Sequence, residues 1–457
     1  VLVGPYLRKF GAYTVPDFLS FRYGGNFARA LGVIVLVACS FTYVTAQIYG
    51  TGIIASRFLG MNFEVAVFVG LAGILLCSML GGMRAVTWTQ IAQYIVLIVA
   101  YLTPIVILST KKYGLPIPEL TYGQAIADIT AREGQMLKDG LATAANLKPH
   151  IQPWLNYTPL NFFAIILCMM VGTASLPHIL MRYFTTPSVR EARQSVAWSL
   201  LFILLLYVSA PALAVLVKME LLSTLVGTAH ANLPGWVASW SRVDPGLVSV
   251  TDLNGDGVVQ FAEIALGGDA VVLAMPEIAG LPYVLSGLIA AGALAAALST
   301  ADGLLLTIAA AFSHDAYYRV IDPGAPSTRR VTLSKVLVLV VALVAAYVAA
   351  QRPADILFLV SAAFSLAASG LFPVLVLGIF WKRANGRGAM AGMIAGLLVT
   401  LAYMLLNAQN PSFSVLGITN VAAGIFGMPV NFLVTIVVSK LTPPPSPTTQ
   451  AMVESLR

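Results

Sequence analysis

The chain has 457 residues, of which 58% are hydrophobic and only 10% charged, and its mean hydropathy is +0.86. A water-soluble fold of that composition would expose too much apolar surface, so the sequence reads as an all-α polytopic membrane protein with the lipid bilayer as its surroundings. The formal charge of +7 does not indicate nucleic-acid binding, because Lys and Arg recur in short connections and do not gather on one domain.

The chain opens with VLVGPYLRKFGAYTVPDFLSFRYG, which has neither an initiator Met nor a basic signal region, and is expected to be cut part-way. About ten spanning segments follow, each near the 20 apolar residues that cross a bilayer. They fall at 28–58, 63–81, 86–110, 159–177, 196–218, 281–313, 331–351, 355–381, 388–407 and 420–440. Together they form a single transporter-sized domain over 1–457, with two long hydrophilic connections at 111–158 and 219–280. Strict alternation of spans puts both connections on one side.

The opposite side carries Arg8, Lys9, Arg22, Arg29, Arg84, Arg182, Arg190 and Arg193, then Arg319, Arg329, Arg330, Lys335, Lys382, Arg383 and Arg387. By the positive-inside rule these face the cytoplasm and the long connections are extracytoplasmic, as in a bacterial inner membrane. Cys39, Cys77 and Cys168 all lie in apolar spans, which suits packed thiols better than a disulfide framework.

Polar groups inside spans are costly and mark function or internal pairing. In FTYVTAQIYGTG, 41–52, Thr42, Thr45 and Tyr49 share helical spacing with Gln47 on another face, so they line a polar cavity or bridge helices. In MMVGTASLPHILMRYF, 169–184, Gly172 and Pro177 interrupt the span beside Thr173, Ser175 and His178. A broken helix at membrane depth suits a cavity wall where a half-helix N-terminus meets an anion. The plainer reading is a Pro kink with satisfied hydroxyls and a satisfied histidine.

Residues 252–263, DLNGDGVVQFAE, have the spacing of a calcium loop. Asp252, Asn254, Asp256, Val258 (through its carbonyl), Gln260 and Glu263 would be the ligands, with Gly257 at the sharp turn. The flanks do not read as two long paired helices, and the alternative is an acidic, Gly-rich surface turn. In AAGALAAALSTADGLLLTIAAAF, 290–312, Ser299 and Thr300 offer hydroxyls one turn after the Ala296 carbonyl. These are hard oxygen ligands for a small cation such as sodium, unless the hydroxyls bond back to their own helix. Asp302 is the only carboxylate deep in an apolar span, where it is either structural or part of an ion path. No metal-ligand cluster, nucleotide loop or nucleophile triad supports an enzyme.

GGMRAVTWTQIAQ (81–93) and GLFPVLVLGIFWKRANGRGAMAG (370–392) resemble the two signatures of the sodium:solute symporter family. ALSTADGLLL (297–306) resembles its sodium-binding helix, and GTASLPHILMRYFTTPSVREAR (172–193) is similar to the acetate-permease branch, the cation/acetate symporters. The resemblance implies a leucine-transporter-type five-plus-five inverted-repeat core with extra C-terminal helices and alternating access around a midplane site. It also implies about three spans missing before residue 1, the first core helix among them. Ala296, Ser299 and Thr300 would then hold the co-transported sodium, while Thr173, Ser175, Thr42 and Thr45 would meet a small monocarboxylate such as acetate. Other small solutes (pyruvate, propionate or a proline-like substrate) and a membrane sensor remain as alternatives, and no obligatory protein partner is implied. Where some symporters carry Asp after the Trp-Thr pair, this chain has Gln90, so one sodium per cycle is expected unless Asp302 substitutes.

Overall fold

The computed structural model describes residues 3–148, 150, 152–155, 157–410 and 412–456, without the side chains of 77 and 80–85. Cys77 and Arg84 therefore lie outside the described side chains.

Two short helices come first, α1 (Gly4–Phe10) and α2 (Val15–Tyr23). The Thr14 hydroxyl caps α2 by accepting from the Asp17 amide at 3.1 Å. Gly24 and Gly25, at φ 83° and 84°, turn the chain into α3 (Gly25–Leu59), a conformation open to residues without a Cβ.

Helix α4 (Phe63–Tyr113) carries both the second and third expected spans, and its contacts with α11 (Tyr283–Ala310) show that it doubles back. Gly73 faces Leu298 and Ser78 meets Asp302, so the first arm runs parallel to α11. Gln90 meets Ser299 and Ala100 lies against Gly292, so the second arm runs antiparallel to it. The reversal falls between Ser78 and Gln90.

Next come α5 (Pro118–Lys138), α6 (Pro159–Ser175), α7 (Pro177–Thr185), α8 (Val189–Thr224), α9 (Gly235–Ser241) and α10 (Gly268–Ile278). Between α9 and α10, β1 (Val248–Val250) pairs antiparallel with β2 (Ile264–Leu266). These two three-residue strands flank the calcium-like loop, in keeping with flanks that do not read as two long paired helices, and the rest of the chain is helical as expected.

After α11 the chain continues as a π-helical turn, Ala311–Ile321, then α12 (Ser327–Ala350), α13 (Ile356–Gly370), α14 (Phe372–Phe380), α15 (Gly386–Gln409), α16 (Gly424–Leu441) and α17 (Pro447–Leu456). Among the described residues eight helices are long and apolar enough to cross a membrane, and nine if the bent pair α6–α7 is one span. The remaining expected segment, 63–81, is the first arm of α4, whose apolar part, Phe63–Leu76, is too short to count alone.

The two long connections meet at one end of the bundle. Arg132 of α5 donates to the carbonyls of Leu222 and Val226 near the end of α8, and Glu133 pairs with Lys218 at 2.6 Å. The Phe261 amide bonds the Leu141 carbonyl, and Gly227 bonds Val259. We call this the cap end.

At the opposite, basic end, several charges read as loop residues are buried. Arg22 is 1% exposed and donates to the carbonyls of Gly378, Trp381 and Ala384, closing the C-terminus of α14 where cations are favoured. Arg29 pairs with Asp17 at 2.8 Å and with Asp315 at 3.5 Å, tying α2 and α3 to the turn that follows α11.

Candidate functional site

Helix α11 carries the expected sodium ligands between the two arms of α4. Helical spacing brings the three together: Ser299 Oγ donates to the Ala296 carbonyl at 2.9 Å, and Thr300 Oγ1 donates to the same oxygen at 3.3 Å. The hydroxyls thus bond back to their own helix, yet all three oxygens remain clustered and half-buried. Gln90, from the second arm of α4, donates its side-chain amide to the Ser299 carbonyl. Asp302 is fully buried; one of its oxygens accepts from Ser78, and the other, Oδ2, has no hydrogen-bond partner among the described residues. Ser78, from the first arm, could not be found from sequence, since 224 positions separate it from Asp302.

This segment sits between two cavities. From the cap side, a cavity of about 450 Å³ reaches Ala296 and is lined by Gln47, Tyr101, Tyr207 and Asp269 among others. From the basic side, a second of about 580 Å³ reaches Ser78, the partner of Asp302. Along α11 the first cavity reaches Ala297 and the second begins at Leu306.

The span at 159–185 is broken, at Leu176: α6 and α7 meet at 41°. Pro177 supplies the cause, since it cannot donate to the preceding turn and pushes Leu176 to an extended ψ of 122°. Gly172 does not interrupt the helix. It lies inside α6 where a Cβ would collide with the Phe364 carbonyl, so it allows α13 to approach closely.

The four expected substrate contacts lie on two helices, Thr42 and Thr45 on α3 and Thr173 and Ser175 on α6. Thr173 bonds Met169, Ser175 bonds Val171 and Gly172, Thr42 bonds Ala38 and Thr45 bonds Phe41, each through a carbonyl on its own helix. None of the four lines either cavity. Aromatic contacts instead join α3 to the break: the Tyr43 ring packs edge-on against both His178 and Phe364, each at 5.6 Å. His178 Nδ1 is buried without a hydrogen-bond partner. Arg182, read as a loop charge, lies beside Gly303 and donates to Thr87 at 3.3 Å, which places it next to α11. Cys39 and Cys168 are buried free thiols.

The calcium-like loop closes the β1–β2 hairpin. Asp252 accepts the amides of Gly255 and Gly257, which sets the sharp turn at Gly257 (φ 73°). Asn254 accepts the Asp256 amide and Asp256 the Val258 amide, while Gln260 donates to Asp256 at 3.0 Å. The Val258 amide, then the Asn254 and Gln260 side chains, hold the Asp256 carboxyl below the usual range. Burial pushes Glu263 up, but the amides of Gln260 and Leu253 and the His230 ring outweigh it and hold this carboxyl low. His230 is an addition that sequence spacing missed: with Asp252 and Glu263 it brings potential metal-binding atoms within 4.8 Å of one another.

The model of the sodium:solute symporter family matches residues 1–232 and 262–396. The stretch it skips contains β1 and most of the calcium-like loop. An uncharacterized symporter of Cupriavidus necator is 46% identical over 557 aligned residues, covering all of this chain and 81% of its own length. A monocarboxylic acid transporter of Corynebacterium glutamicum is 29% identical, over 89% of this chain and 68% of its own length. Among solved structures, the substrate-bound outward-open state of a Na⁺-coupled sialic acid symporter superposes with a TM-score of 0.66. It is 17% identical and the match covers 97% of this chain and 80% of that one, which establishes the leucine-transporter-like fold. The chain belongs to the sodium:solute symporter family and is a multi-pass membrane transporter, not an enzyme, that couples movement of a solute to sodium.

Proposed function

We propose that the protein imports a small monocarboxylate such as acetate with sodium, by alternating access across a cell membrane. The observation that carries the substrate class is the similarity to the monocarboxylic acid transporter of Corynebacterium glutamicum. The two cavities that approach Ala296–Asp302 from opposite ends support alternating access, because each would be the open path in one state.

In this reading Ala296, Ser299 and Thr300 hold sodium once the hydroxyls turn from the Ala296 carbonyl. The anion enters beside the α6–α7 break, where Thr173 and Ser175, with Thr42 and Thr45 across from them, exchange their helix bonds for the carboxylate. The basic end faces the cytoplasm by the positive-inside rule and the cap faces outward. Gln90 is already engaged with Ser299 and carries no charge, which favours one sodium per cycle. Calcium bound by Asp252, Asn254, Asp256, the Val258 carbonyl, Gln260 and Glu263 would brace the cap.

Reconstituted full-length protein should take up acetate saturably in response to an inward sodium gradient. Propionate, pyruvate and lactate should compete, and neutral amino acids should not. Competition by amino acids alone would reassign the substrate, and a coupling ratio of two would reassign Gln90. Identical uptake and melting temperature with and without calcium would remove the brace.

A further inference from the structure

The cavity at the basic end has two chemically distinct parts. Its apolar part is built from Met79, Met181, Leu306, Ala310 and Val338, with Ser78, Ser313 and His314 as polar groups beside them. Its rim carries Tyr13, Ser327, Arg330, Ser334 and Lys335. The neighbouring cations are engaged: Arg29 and Arg319 with Asp17, and Arg329 with Asp322. Arg330 and Lys335 form no ion pair among the described residues. The Arg330 guanidinium rests 4.1 Å above the Tyr318 ring, which fixes its place, and its Nε is buried without an acceptor.

A buried donor left unpaired is costly and calls for an acceptor. Ser327 opens α12, whose first turn adds partial positive charge to the rim. The acids nearby do not answer that need. Asp17 and Asp315 are held by Arg29, His314 and Thr14, and Asp302 is reached only through Ser78. The cavity, at about 580 Å³, is far larger than a two-carbon anion requires and falls in the range that takes ligands with a substantial apolar body.

We propose that this chamber binds an amphipathic carboxylate, a medium-chain fatty-acid anion. Its headgroup lies on Arg330 and Lys335, its chain runs along Met79, Met181 and Leu306, and the ligand plugs the basic-side route to Ser78 and Asp302. Two unpaired cations at the mouth of an apolar chamber select for a negative head and an apolar tail together.

The test is calorimetric titration of the full-length protein in nanodiscs with hexanoate, octanoate, decanoate and neutral decanol. Affinity should rise about fourfold per added methylene, equivalent to about 0.8 kcal/mol each. Arg330→Gln with Lys335→Gln should weaken decanoate binding by about tenfold or more, and nanodiscs carrying this variant correct for partition into lipid. Leu306→Trp, which fills the chamber without changing its charge, should abolish binding even if the double variant folds poorly. Equal heats for wild type and both variants, or decanol binding as tightly as decanoate, would overturn the proposal. Occupancy by phosphatidylglycerol that decanoate cannot displace would overturn it in favour of a lipid site. The readout is binding alone, so its outcome is independent of which substrate is transported.

Discussion

At Ala296 a single carbonyl oxygen receives two side-chain donors from the next turn. The spacing that makes this possible is local, fixed by the helix, and so was legible in the sequence: residues three and four apart on a helix share a face. Those hydroxyl bonds to the carbonyl are weak individually, about 1 kcal/mol net, so a cation can displace them. Ser299→Ala with Thr300→Ala should therefore raise the sodium concentration for half-maximal uptake by about tenfold or more, corresponding to about 1.4 kcal/mol of lost binding. Unchanged sodium dependence in proteoliposomes would place the ion elsewhere. The partners of the same helix were not legible. Ser78, Gln90 and Arg182 reach α11 through tertiary packing, and nothing in the local sequence pairs a serine at 78 with an aspartate at 302.

Among the elements, the break at Leu176 follows directly from Pro177, whereas the role of Gly172 does not. Both residues interrupt propensity in the same way, but only packing against Phe364 shows that the glycine serves close approach. Replacing Pro177 with Ala restores an amide donor and relieves the restriction on Leu176, so α6 and α7 can join as one helix. Uptake should fall by about tenfold or more while membrane insertion and expression persist. Wild-type rates would show that the bend plays no part in transport. The β1–β2 hairpin was missed for a different reason. Its strands are three residues each, below the length at which alternation separates strand from loop.

For the whole molecule, the multi-pass helical class was readable because a bilayer imposes length and polarity on every helix. The closure of its basic end was not. Asp17 receives Arg29 at 2.8 Å and His314 at 3.0 Å, and so joins α2 and α3 to the helix that carries Ser299. Burial pushes the Asp17 carboxyl up, but the His314 hydrogen bond and the charges of His314, Arg29 and Arg319 outweigh it and hold it below the usual range. A depressed carboxyl contributes stability that is fully present above the ordinary value of about 3.9 and lost as pH falls through the lower folded value. Asp17→Asn should thus melt below wild type at neutral pH, and the gap should narrow below about pH 4. A gap independent of pH would mean that the charge of Asp17 does not stabilise the fold.

The cap gives the fold tolerance to a severed backbone. Its two connections hold each other through Arg132 with Leu222 and Val226, Glu133 with Lys218, and the amide of Phe261 with Leu141. A cut after Leu141, within the stretch that leads to α6, leaves the end at Leu141 anchored by contacts that do not pass through the cut. The N-terminal piece would keep both arms of α4, and the C-terminal piece would keep α11, which packs against them, so the two pieces would stay associated without a peptide bond between them. Synthesis as two polypeptides is thus compatible with this architecture.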